Sequence, residues 1–217
     1  MEYSALIFVH ILALVYWLGG DLGTYLSSKY VLDETLSVES RKTAFGILLA
    51  CDMGPKLAMP TILGAGLHLT HLLWGGVVAV QMVAIGWILV AIWLGLIYAQ
   101  HTQLATTWPK LAQVDLFVRY AVIVAMLALL VWGYQQSLPN WLLTKIVIYA
   151  SLVACGIAVR YALKPFAMAY GRLIAEGASE EINQALRLHM AICRRYVWAI
   201  WIGLFVNTAL GAKLLVF

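Results

Sequence analysis

Several ionisable side chains lie inside otherwise apolar stretches of this sequence: His10, Asp21, Asp52, Lys56, His68, His71, His101, Lys145 and His189. Each costs about 3 kcal/mol at the centre of a hydrocarbon layer, so such residues are kept for chemistry or for helix registry. Depth sorts them. His10 stands about two turns into a first apolar segment, His68 near the end of an antiparallel second one, and Lys145 about one turn into a fifth. His71 follows His68 by one turn. Two imidazoles from different helices at one depth are what a b-type haem requires, each giving one axial nitrogen to the iron. His10 and His68 are therefore the expected metal ligands, with His71 as the alternative to His68. Lys145 is the expected partner of a haem propionate or substrate carboxylate, which a lysine meets as a point charge. Gly19, Gly20, Gly64 and Gly66 permit close approach of helices or of a flat macrocycle.

At about 100° per residue, His10, Trp17 and Asp21 share one stripe, which must face inward because a lipid-facing carboxylate is too costly. Trp17 on that stripe is a cofactor-facing candidate. An Asp21–Lys56 ion pair is expected, with Asp52 competing for the lysine; the trio either holds helices in register or forms a proton path. His101 and His189 lie toward the other end, where a second haem would complete a two-haem wire. The Arg194-Arg195 pair after His189 argues that this histidine lies outside the hydrocarbon.

The elements that position these groups follow from composition. Of 217 residues, 64% are hydrophobic and 11% charged, and the mean hydropathy is +0.89. Soluble domains carry roughly twice that share of charge, so lipid must solvate much of the surface. The net charge of +4 sits between apolar runs and sets topology; no basic, aromatic-laced stripe exists, which excludes nucleic acid. Cys51, Cys155 and Cys193 form no C-x-x-C pair and read as buried hydrophobes. A span takes about 20 apolar residues. Segments are expected near 4–31, 43–74 (kinked at Pro55 and Pro60), 77–101, 115–134, 141–162 and, after a Ser179-Glu180-Glu181 helix start, up to about Lys213. Residues 164–177 read as a longer polar connector, with an interfacial helix as the alternative. The N-terminal run lacks the basic start of a cleavable signal. Lysine and arginine crowd the ends after the first, third and fifth segments, and positive ends stay inside. The expectation is an all-α, polytopic transmembrane bundle of about six helices, one domain over 1–217, in a bacterial inner membrane with both termini periplasmic.

Three elements, in this order, resemble the HemJ-type protoporphyrinogen oxidases and the related CopD-like membrane proteins: His10-x6-Trp17-x2-Gly20, Pro60-Thr-Ile-Leu-Gly64 and Trp141-x3-Lys145. The resemblance covers under half of the chain. It implies a helical membrane protein that binds haem b and oxidises a porphyrinogen, with essential roles falling on His10 and Lys145. The CopD-like side implies copper uptake instead.

Three functions follow as expectations. The first is a haem-b membrane redox protein that exchanges electrons with a quinone, a porphyrin or a periplasmic partner. The second is a copper or metal permease lined by Asp21, Asp52 and Lys56. The third is a structural subunit of a larger membrane complex or homo-oligomer. No G-x-S-x-G, H-E-x-x-H or phosphate loop supports a hydrolase or nucleotide enzyme.

Overall fold

Proline and short polar turns decide where the helices stop. The computed structural model describes residues 1–215, which are helical with no strand among them. In chain order the helices are α1 (Glu2–Val31), α2 (Val38–Cys51), α3 (Met53–Leu73), α4 (Val80–Ala99), α5 (Leu104–Thr107), α6 (Leu111–Gln135), α7 (Asn140–Glu176) and α8 (Glu180–Gly211). After α1, Asp33 Oδ1 accepts from the Thr35 amide at 3.0 Å and from its hydroxyl at 2.7 Å, which turns the chain. Ser37 Oγ then accepts from the Ser40 amide at 3.2 Å, capping the start of α2.

The expected second segment is two helices. Pro55 would clash with the carbonyl four residues earlier, at Cys51, and that is where α2 ends; α3 restarts at Met53 with the proline in its first turn. Pro60 stands inside α3 without ending it. The expected connector at 164–177 is instead the continuation of α7, which carries Pro165 inside it and stops at Gly177, where φ is +85°. The Ser179 start is as expected, its side chain accepting from the Ile182 amide at 3.3 Å.

Five helical stretches are long and apolar enough to cross a membrane: Glu2–Val31, Val38–Leu73, Val80–Ala99, Leu111–Gln135 and Asn140–Glu176. The protein is therefore an all-helical, membrane-embedded chain. The helix α8 is long but stands outside this set. The Arg194-Arg195 pair stands at its middle and leaves only sixteen residues of α8 beyond it, Asn207 among them.

The chain forms two compact units. Unit 1 comprises Met1–Asp21 and Cys51–Val118. In it Leu6, Ala13 and Trp17 bury one stripe of α1. A Cβ on Gly54 would lie 2.7 Å from the Tyr16 carbonyl oxygen, and one on Gly20 2.7 Å from that of Cys51, so α1 and α3 touch backbone to backbone. On the α4 side, Gly64 meets Trp87 and Val90, and Gly86 meets Leu67.

Unit 2 comprises Leu22–Ala50 and Arg119–Phe217. Its core gathers Val31, Leu48, Phe166, Leu173, Leu186, Met190 and Cys193 from α1, α2, α7 and α8. Leu152 fills the notch left by Gly203, where α7 and α8 pack.

Candidate functional site

The last turns of α3 carry the two histidines of unit 1 whose ring partners define their protonation. An indole N–H can only donate and a carbonyl can only accept, so the partners fix the tautomers. Trp87 Nε1 donates to His68 Nδ1 at 3.3 Å. His68 therefore carries its proton on Nε2, which lies 3.1 Å from the Glu2 carboxylate. Both nitrogens are engaged. His71 has the opposite arrangement. Its Nδ1 lies 2.5 Å from the Val78 carbonyl oxygen and must donate to it. The lone pair of His71 is thus left on Nε2. That is how metal-binding histidines are commonly held, one N–H fixed on a carbonyl and the other nitrogen presented. The two rings are 6.4 Å apart.

His10 approaches α3 on another face. Its Cε1 would be 3.5 Å from a Cβ on Gly66, so the imidazole packs on the bare backbone there. Taking about 100° per residue, His68 is about 200° and His71 about 140° round the helix from Gly66. The contacts agree, since His68 meets Trp87 of α4. An iron gripped between His10 and His68 would require the His68 ring to leave Trp87 and Glu2 and change face. The structure thus places the two expected ligands on different faces of α3 and does not bring them together. The glycines of this interface close α1 on α3 rather than opening a slot.

Trp17 is 3% exposed, so its stripe faces inward as its spacing requires. Lys56 pairs with Asp52, on its own helical face at 2.6 Å, and not with Asp21; residues four apart on a helix meet with little loss of side-chain freedom. Lys145 lies in unit 2, where Nζ donates to the Asn207 carbonyl at 3.2 Å and would be 2.8 Å from a Cβ on Gly211. The lysine thus sits on the last turn of α8, where cations are favoured. In unit 1, His101 lies just past the end of α4, and its Nδ1 donates to the Ile97 carbonyl of that helix at 2.9 Å. In unit 2, His189 lies half-buried on the early turns of α8. Among the described residues no group of three or more His, Cys, Asp or Glu is placed to hold a metal ion.

Sequence reasoning missed the most deeply buried charges. Arg41 is 1% exposed, Asp115 2% and Arg119 9%. Trp93 Nε1 donates to Asp115 Oδ1 at 3.0 Å in unit 1. In unit 2, Arg119 Nη1 would lie 3.8 Å from a Cβ on Gly156. The i,i+4 spacing of Asp115 and Arg119 at the head of an apolar run was the available signal. No family model, curated protein or solved structure matches this chain.

Proposed function

We propose that this chain is a b-type haem-binding integral membrane redox protein in which His71 is the ligand from α3. The observation that carries the reading is the His71 imidazole, whose Nδ1–H is held on the Val78 carbonyl and whose lone pair is therefore on Nε2. The bound haem would supply one-electron exchange. The chain's own part is orientation: Val78 fixes the ring, while Glu2, His68 and Trp87 form a hydrogen-bonded strut beside it. The order of the His10, Pro60–Gly64 and Lys145 elements supports a HemJ-like relationship, and an oxidoreductase acting on a quinone, a porphyrin or a periplasmic redox partner is the corresponding activity. Lys145 is the catalytic or carboxylate-holding candidate of that reading. We read α8 as a sixth span and place both termini on the periplasmic side of a bacterial inner membrane, because Lys29, Arg41, Lys110, Arg160, Arg172 and Arg194 gather at the opposite ends.

The test is a reduced-minus-oxidised optical spectrum of protein purified from haem-replete cells. A b-type band is expected in the wild type and in His68→Ala, and its loss in His71→Ala. Wild-type protein free of haem would sink the proposal.

The copper-permease reading gains no ligand set from the described residues. The subunit reading has one observation in its favour. The apolar window of α1 is only 11% buried, against 39% for that of α7, so α1 offers a face to lipid or to another helix. Co-purification of a partner at fixed stoichiometry, lost on placing charge on that face, would support it.

A further inference from the structure

Unit 2 sorts its arginines by whether an acid answers them. Arg172 is held by Glu176 at 3.2 Å and by Glu181 at 2.8 Å. Arg187 is held by Glu34, and by Glu180 at 2.8 Å. Lys29, Arg194 and Arg195 take part in no ion pair among the described residues. Yet two of these three are built into one place. The Arg194 guanidinium lies over the Tyr25 ring at 4.9 Å, and Nη2 donates to Ser28 Oγ at 2.8 Å. Its Nε is buried with no partner. Lys29 Nζ lies 5.4 Å from the centroid of the same ring. Beside them Trp198 and Trp201 pack on Tyr25 at 6.1 and 5.5 Å, and the Trp201 indole N–H is buried without an acceptor. Trp198 remains 51% exposed.

Two cations share the Tyr25 ring with no carboxylate paired to either among the described residues, and their surroundings say which anion suits them. The cations stand where the apolar parts of α1 and α8 give way to polar sequence, and tryptophan and tyrosine collect at the level of lipid headgroups. We propose that Arg194, Lys29 and the Tyr25–Trp198–Trp201 cluster bind the headgroup phosphate of an anionic phospholipid of the cytoplasmic leaflet. The arginine and lysine meet the phosphate, the tryptophans flank the glycerol and upper chains, and Tyr25 holds both cations in place.

The test is titration of purified protein in phosphatidylcholine bilayers with brominated-chain phosphatidylglycerol, read by quenching of tryptophan fluorescence. Wild type is expected to prefer the anionic lipid. Arg194→Gln should weaken that preference about fivefold, the factor expected for one cation near an anionic surface. Arg187→Gln, whose charge is already paired, should leave it unchanged. Lys29→Gln, at an exposed position, makes the same test if Arg194→Gln does not fold. Equal quenching by phosphatidylcholine, full competition by inorganic phosphate, or an unchanged preference in both Arg194→Gln and Lys29→Gln would overturn the proposal.

Discussion

Arg41 carries its charge at 1% exposure without a carboxylate bonded to it. Two of its nitrogens meet neutral acceptors: Nε donates to the Val31 carbonyl at 2.8 Å, and Nη1 to Asn183 Oδ1 at 3.0 Å, while Nη2 is buried without a partner. Hydrogen bonds to a charged group contribute about 1.5–3 kcal/mol, and losing one partner leaves the charge under-solvated. Asn183→Ala should therefore destabilise by about 2 kcal/mol, seen as a lower unfolding midpoint in detergent. At the turn before Arg41, the Asp33 carboxyl is held below the ordinary carboxylate range, chiefly by the Thr35 hydroxyl, then by the Thr35 amide and by the nearby Arg41 charge. A carboxyl lowered in the folded state contributes stability that is complete above its unfolded pKa and lost as pH falls through the folded value. Thr35→Ala should bring the Asp33 titration, followed by carboxyl NMR, back up toward the ordinary range. Glu181 is lowered in the same sense by its hydrogen bond from Arg172, and Arg172→Gln should raise it.

At the scale of elements, the α1–α3 contact depends on missing Cβ atoms. Gly54 faces a backbone carbonyl that cannot swing aside, so Gly54→Ala should force α1 from α3 at a cost of about 1–3 kcal/mol. Gly19 meets nothing within 4 Å, and Gly19→Ala should be neutral or stabilising by up to about 1 kcal/mol through helix propensity. Thermal unfolding of the pair checks both. Lys145 poses a sharper choice between element and site. If its work is to hold the end of α8, Lys145→Met should speed amide exchange near Ala209–Leu214 and leave any bound cofactor's spectrum unchanged. Several helix ends were legible in the sequence because the apolar run meets a residue with a definite stereochemical effect, as at Pro55, Gly75 and Ser137. The extension of α7 through Pro165 was not, since its neighbours support a proline that local rules read as a stop.

For the whole molecule, membrane embedding followed from composition alone, and five apolar stretches of spanning length bear it out. The protein should stay in the pellet after alkaline carbonate washing of membranes. Release into the wash would contradict the membrane assignment. The candidate site was legible only by layer. Residue spacing gives depth along a helix to within a turn, which brought His10 and His68 to one level. It does not say which neighbour each face meets, and the packing of α1 on Gly66 with α4 against His68 separates those faces. Tautomers lie further out of reach, because they depend on Val78 and Trp87, which no motif ties to the histidines. Arg41 escaped notice because it sits in a stretch that reads as a polar loop, and only a carbonyl from α1 and an amide from α8 make its burial affordable.

That guanidinium also constrains how the chain can be made. The carbonyl it binds is synthesised before it, whereas the carboxamide it also binds belongs to α8, 142 residues further on. Until α8 is in place, the guanidinium has only the Val31 carbonyl to meet, so the corner between α1 and α2 waits on a helix made much later.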